Sequence, residues 1–160
     1  MLIHEASFPA DSACLKSIIG EYIGWLDMDL SYRGFDQEMA KFDQLFTLPS
    51  GLFLMARSNE TVAGCVGLLR HDAGTAEVKR LYVRPQFRGQ QLGQRLIQQL
   101  VITAQGLDIK RFILDAVPQT IVAQQLYQSM GFRQTDPYYA HAVPGTKFYE
   151  LALSSATFIE

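Results

Sequence analysis

The sequence predicts one α/β domain, spanning residues 1–160, with about seven strands and about four helices. Three observations lead there. A chain of 160 residues is long enough to bury a real core and too short for two comfortable domains. Apolar residues recur at helical spacing in four segments. Between these segments lie short apolar runs bounded by Gly, Pro, Asn and Ser, which punctuate strands. Hydrophobic residues at 48% and charged residues at 19% match a folded globular protein and argue against disorder.

Taken in order, residues 2–6 read as a first strand. Leu15, Ile18, Ile19, Tyr22, Ile23 and Leu26 then mark a helix. Phe35, Met39, Phe42 and Phe46 repeat that pattern less cleanly after Gly34, giving a second, shorter helix that ends near Pro49-Ser50-Gly51. Residues 52–56 and 62–69 flank Ser58-Asn59-Glu60 and read as a hairpin buried on both faces. Residues 76–83 form the next strand, closed by Pro85, which has no N–H for a ladder bond. The period then changes: Leu92, Leu96, Ile97, Leu100, Val101 and Ala104 line one helix face, and Gly106 ends it. Residues 112–117 are a strand, Ile121, Val122, Leu126 and Met130 mark a fourth helix stopped by Gly131, and residues 132–135 and 147–153 are two closing strands. No internal repeat or linker interrupts this order.

Several function classes fall away on composition. The formal net charge of −2 gives no positive field for a phosphate backbone, so no nucleic-acid partner is expected. Met1-Leu2-Ile3-His4-Glu5 lacks the basic start and apolar run of a secretory signal, and no apolar stretch reaches membrane-spanning length. A cytoplasmic protein with no membrane partner is expected. Cys14 and Cys65 are too few and too isolated for a disulfide framework or a CxxC zinc site, so both are expected as free thiols. No ligand cluster for a metal is present, and none is expected.

The chemistry concentrates where the strand of residues 77–83 runs through a short proline-containing turn into Arg88-Gly89-Gln90-Gln91-Leu92-Gly93 and a helix. The first N–H groups of a helix have no internal partner and carry partial positive charge, so such a junction traps anions. Gly89 and Gly93 permit close backbone approach, and Arg88 with Arg84 beside it adds charge. Neither the GxGxxG fingerprint nor the GxxxxGK[ST] loop is present, which weakens NAD and ATP as occupants.

The run Arg88, Gly89-Gln90, Gln91, Leu92, Gly93 resembles the signature of the GNAT superfamily of N-acetyltransferases: Arg or Gln, two residues, Gly, one residue, then Gly or Ala. The preceding strand from Glu77 to Gly89 is similar to that family's fourth strand and coenzyme loop. A second block, Ala123-Gln124-Gln125-Leu126-Tyr127-Gln128-Ser129-Met130-Gly131-Phe132, resembles the family's A-x-x-L-Y-x-x-x-G-F helix end. The order of elements agrees along nearly the whole chain. Residues 75–133 carry most of the specificity. Two positions depart from the pattern. Gln91 replaces the middle glycine, where a helical first turn is expected to leave its N–H available, and Thr120 stands where many relatives carry an asparagine that touches the coenzyme.

The resemblance implies a mixed, largely antiparallel sheet with helices on both faces. It also implies an acetyl-CoA-dependent transfer to a primary amine of a small molecule, an amino acid or a protein. Coenzyme contacts are expected from Leu81, Tyr82, Val83, Arg88, Gly89, Gln90, Gln91, Leu92, Gly93, Gln94, Thr120, Ala123 and Tyr127. A main-chain N–H near Val83 would polarise the thioester carbonyl. Tyr127 matches the tyrosine that protonates departing coenzyme A, and a packing tyrosine is the bland alternative. Glu77 matches a carboxylate that acts on the amine in some members; a solvated strand-start glutamate is the alternative, with Tyr138, Tyr139 and His141 as further candidates. Asp27, Asp29, Tyr32 and Arg33, between the first two helices, are expected to border the acceptor together with Tyr138. Trp25 and Phe35 read as core or pocket wall. A homodimer is common among relatives. A non-catalytic acyl-CoA sensor and a nucleotide-binding module at the same helix terminus remain alternatives.

Overall fold

A computed structural model describes residues 1–153, with the Tyr32 side chain outside the described parts. Seven strands form one sheet in the order β1-β2-β3-β4-β5-β7-β6. In chain order the elements are β1 (Leu2–Glu5), α1 (Ser12–Leu26), α2 (Phe35–Ala40), α3 (Phe42–Leu45), β2 (Gly51–Ser58), β3 (Thr61–Arg70), β4 (Thr75–Val83), α4 (Leu92–Gly106), β5 (Arg111–Ala116), α5 (Ile121–Ser129), β6 (Arg133–Thr135) and β7 (Lys147–Ala152). Single 3₁₀ turns precede α2 and follow β4. Every strand pair is antiparallel except β4 with β5.

The unbroken apolar runs of β2 and β3 follow from burial of both sheet faces. Leu52, Leu54 and Ala56 join the cluster beneath α4, with Leu96, Ile97 and Leu100. Phe53 and Met55, the alternate residues, point to the other face and meet Ile18, Phe42 and Phe46. The expected second helix is two short ones, broken at Lys41. The break lets α2 send Glu38 to Lys79 and Arg80 on β4, while Phe42 and Phe46 of the following segment enter the aromatic core at 5.4 and 4.7 Å from Phe53.

Two features of β4 shape the middle of the sheet. Its register against β3 slips, Cys65 facing Tyr82 and Gly67 facing Lys79. Arg80 sits at φ 59° in this bulge, a conformation uncommon for residues other than glycine. Towards β5, the ladder lasts only three residues, from Thr75 with Arg111 to Glu77 with Ile113. Beyond Glu77 the two parallel strands part, leaving a wedge-shaped opening between them.

Candidate active site

Two neighbouring cavities lie where β4 leaves β5, the smaller between the two strands and the larger at the end of β4. The larger is a cleft of ≈ 440 Å³. Its walls are Leu81, Tyr82 and Val83 at the end of β4, the turn and first residues of α4, and Thr120, Ile121, Val122, Ala123 and Leu126 of the α5 region. Tyr22 and Trp25 of α1 close one side. The lining is mostly apolar except at the start of α4, where the N–H groups of residues 89–94 find no acceptor among the described residues. Arg88 donates through Nε to the Val83 carbonyl at 3.0 Å, with its guanidinium 5.7 Å from the Tyr82 ring centre and 6.0 Å from that of Trp25. An apolar trough ending in exposed N–H donors and an arginine suits an elongated ligand with an anionic end.

The smaller cavity, ≈ 60 Å³, lies deeper between the diverging strands. Val78 to Leu81 of β4 line one side, Asp115, Ala116 and Val117 the other, and Tyr127 the third. Tyr22, Leu81, Thr120 and Ala123 border both cavities, which makes them neighbours. Tyr127 is buried, with ring centres 5.3 Å from Phe132 and 6.3 Å from Tyr149. Burial above all, with Tyr22 and Asp115 adding to it, raises its pKa well beyond the ordinary 10. The phenol is therefore protonated at neutral pH, and its hydroxyl has no hydrogen-bond partner among the described residues.

Beside this cavity lies a knot of polar side chains. Glu77 is 2% exposed and accepts from Arg33 Nη2 at 2.5 Å, His71 Nε2 at 2.9 Å and Tyr138 Oη at 2.7 Å. Burial alone would raise its pKa; the His71 hydrogen bond, the Lys79 and Arg33 charges and the Tyr138 hydroxyl outweigh it and hold the carboxyl down to about 2. Arg33 also faces Asp115 at 3.5 Å and stacks 4.1 Å from the Tyr139 ring centre. The Tyr139 hydroxyl donates to Asp115 Oδ2 at 2.5 Å. Three separate parts of the chain thus meet where β4 and β5 part: the 3₁₀ turn after α1, the loop before β4, and the loop between β6 and β7.

The family model for the acetyltransferase (GNAT) family matches residues 19–132. The chain belongs to that family. It is 33% identical, over 95% of its own length and 94% of the other's, to an uncharacterized N-acetyltransferase of Schizosaccharomyces pombe. Its fold is similar to that of a GNAT-family acetyltransferase from Staphylococcus aureus, with a TM-score of 0.79 at 19% identity over 95% and 98% of the two chains. A GNAT-family acetyltransferase from Elizabethkingia anophelis with acetyl-CoA bound gives 0.63 at 22% over 94% and 97%. Family membership makes this chain an acyltransferase.

Against the GNAT expectation, the structure brings most of the coenzyme set together. Leu81, Tyr82, Val83, Arg88, Gly89, Gln91, Leu92, Gly93, Gln94, Thr120 and Ala123 all line the larger cleft, and Tyr127 the smaller cavity. Gln90 lines neither. Gln91 is the N-cap of α4 at φ 59°, not part of a helical first turn. It takes the left-handed conformation that a glycine would enter without cost. Gly93 serves packing as well as ligand approach, since a Cβ there would stand 3.2 Å from Leu126. Arg84 is tied to Glu21 at 2.5 Å and to the Val62 carbonyl at 2.9 Å, so it clamps α1 to β4 instead of adding charge to the anion site. Thr120 donates its hydroxyl to the Val117 carbonyl at 2.8 Å.

The acceptor segment divides. Arg33 and Tyr138 reach the polar knot, and Trp25 is pocket wall. Asp27 and Asp29 are exposed and line neither cavity. Asp27 ends α1 in the left-handed conformation, and Asp29 holds the next turn by accepting from Ser31 N at 2.8 Å. Both stand where the chain turns after α1. The Tyr32 side chain lies outside the described parts. His141 is exposed and absent from both cavities. Sequence reasoning missed Asp115, Tyr22 and His71. Asp115 left one signal, a charge inside the otherwise apolar run of residues 112–117.

Proposed function

We propose that this GNAT protein binds acetyl-CoA in the larger cleft and transfers the acetyl group directly to a primary amine presented in the smaller cavity. The observation that carries the reading is the parting of β4 and β5 after Glu77 beside a helix start with free N–H groups. The unpaired edge of β4 at Leu81 to Val83 would pair with the coenzyme's amide-bearing arm. The N–H groups of residues 89–94 and Arg88 would hold its pyrophosphate. The coenzyme supplies an activated acetyl thioester. A relative of the same fold with acetyl-CoA bound supports this assignment.

In this scheme a main-chain N–H at the end of β4 steadies the oxyanion formed on attack. Tyr127, buried and protonated, gives its proton to the sulfur that leaves. Much of the rate comes from holding two reactants in adjoining cavities. Glu77, held ionised near pKa 2 by three donors, is a weak base; its place is to anchor Arg33 and Tyr138 beside the acceptor.

Tyr127→Phe tests the acid. Steady-state kinetics should show turnover falling about a hundredfold, with acetyl-CoA affinity from calorimetry unchanged. Unaltered turnover would remove Tyr127 from the chemistry.

A further inference from the structure

With every oxygen of Glu77 engaged, the acceptor amine needs another carboxylate, and the small cavity contains one. Asp115 sits on β5 two residues past Ile113, the last residue to pair with β4, and lines the smaller cavity together with Leu81. Among the described residues it is the sole carboxylate lining that cavity. Its two oxygens are not equivalent. Oδ2 accepts from the Tyr139 hydroxyl at 2.5 Å and lies 3.5 Å from Arg33 Nε. Oδ1 has no partner among the described residues. A carboxylate fixed through one oxygen and open through the other is built to take a further donor.

We propose that Asp115 is the group that receives the acceptor amine between β4 and β5 and takes its proton. The inference rests on the acetyl-transfer reading. An amine at neutral pH arrives as ammonium, which cannot attack, so one proton must first leave. That proton passes from nitrogen to Asp115 Oδ1 and on to solvent through the cavity mouth. The freed lone pair forms the N–C bond, the C–S bond breaks, and the sulfur takes a proton from Tyr127, which is replenished by the second proton leaving nitrogen. Protons and charges balance without a further reactant.

The surroundings suit this role. Tyr127 lines the same cavity, so acid and base border one small volume. Of the cations on its walls, Lys79 and Arg80 from β4 are drawn towards Glu38 of α2, and Arg33 from the turn after α1 is held by Glu77. Tyr22 from α1 and Tyr139 from the loop between β6 and β7 complete the facing groups. Tyr139 and Arg33 act as positioning residues for Oδ2, leaving Oδ1 turned to the amine.

The test is Asp115→Asn, which keeps the shape and an oxygen for the Tyr139 hydroxyl. Two probe amines separate the roles: ethylamine, an ammonium at neutral pH, and hydroxylamine, already neutral there. The variant should lose about a hundredfold or more in kcat/KM for ethylamine, retain most transfer to hydroxylamine, and recover towards wild type with ethylamine as pH rises. Line broadening of ethylamine in ligand-observed NMR, without acetyl-CoA present, should appear with wild type and vanish with the variant. Stabilisation by acetyl-CoA should persist, which certifies the fold. Equal losses for both amines, or ethylamine transfer within threefold of wild type at neutral pH, would overturn the proposal. Wild type that binds acetyl-CoA yet acetylates neither probe would overturn the amine-transfer reading, and this inference with it.

Discussion

Glu77 illustrates how a single residue's surroundings set its task. From sequence it reads equally as a catalytic carboxylate or a solvated strand-start residue, because its three donors come from positions 33, 71 and 138. Nothing local announces them. The folded pKa of about 2 against an ordinary 4.5 means that the folded state favours the ionised form. Its contribution to stability is complete above about pH 4.5 and is lost as pH falls from there towards 2. Denaturant unfolding at pH 6 and pH 3 should therefore show wild type losing about 2 kcal/mol more than Glu77→Gln over that interval. Parallel losses in the two proteins would contradict the ion-paired description. Tyr127 is the opposite case, since its Leu-Tyr motif is contiguous in sequence; the residue lines the smaller cavity.

At the scale of elements, strands and long helices were legible because each buries a face with its own period. The alternation within β2, Leu52, Leu54 and Ala56 to one side and Phe53 and Met55 to the other, is written as an apolar run. The bulge in β4 was not legible. Arg80 takes its positive φ within the register slip, with its guanidinium on Glu38, and neither partner is local in sequence. Gly64 belongs to this device: a Cβ there would stand 2.8 Å from the Tyr82 carbonyl and 3.4 Å from Leu96. Gly64→Ala should cost roughly 1–3 kcal/mol by overpacking against backbone. It should also weaken acetyl-CoA binding, because Tyr82 lies in the cleft wall. Unchanged stability and affinity, by denaturation and calorimetry, would show that β4 is not held as tightly as this contact implies.

For the molecule as a whole, two unequal cavities adjoin where parallel β4 and β5 part. In the proposed reading, one takes an elongated ligand with an anionic end and the other a small cationic group. The coenzyme side was readable because a loop, a helix start and a helix end carry it as contiguous motifs. The polar side proposed for the acceptor was not, since it is assembled from the turn after α1, the loop before β4, β5 and the loop before β7. Asp27 and Asp29 stand at turns outside both cavities, Asp29 with its carboxylate on Ser31, while Asp115, far along the chain, lines the smaller one. Among the described residues no helix is long and apolar enough to cross a membrane, and no cluster of three metal-ligating side chains occurs.

Direct acetyl transfer from a coenzyme held in the larger cleft couples thiol release to amine acetylation. Incubation of the protein with acetyl-CoA and a panel of primary amines, following free thiol and acetylated product together by mass, tests it most directly. One acetylated amine should form for each thiol released, with both signals collapsing in Tyr127→Phe. Thiol release without an acetylated amine, or acetyl-CoA binding with no turnover across the panel, would contradict it.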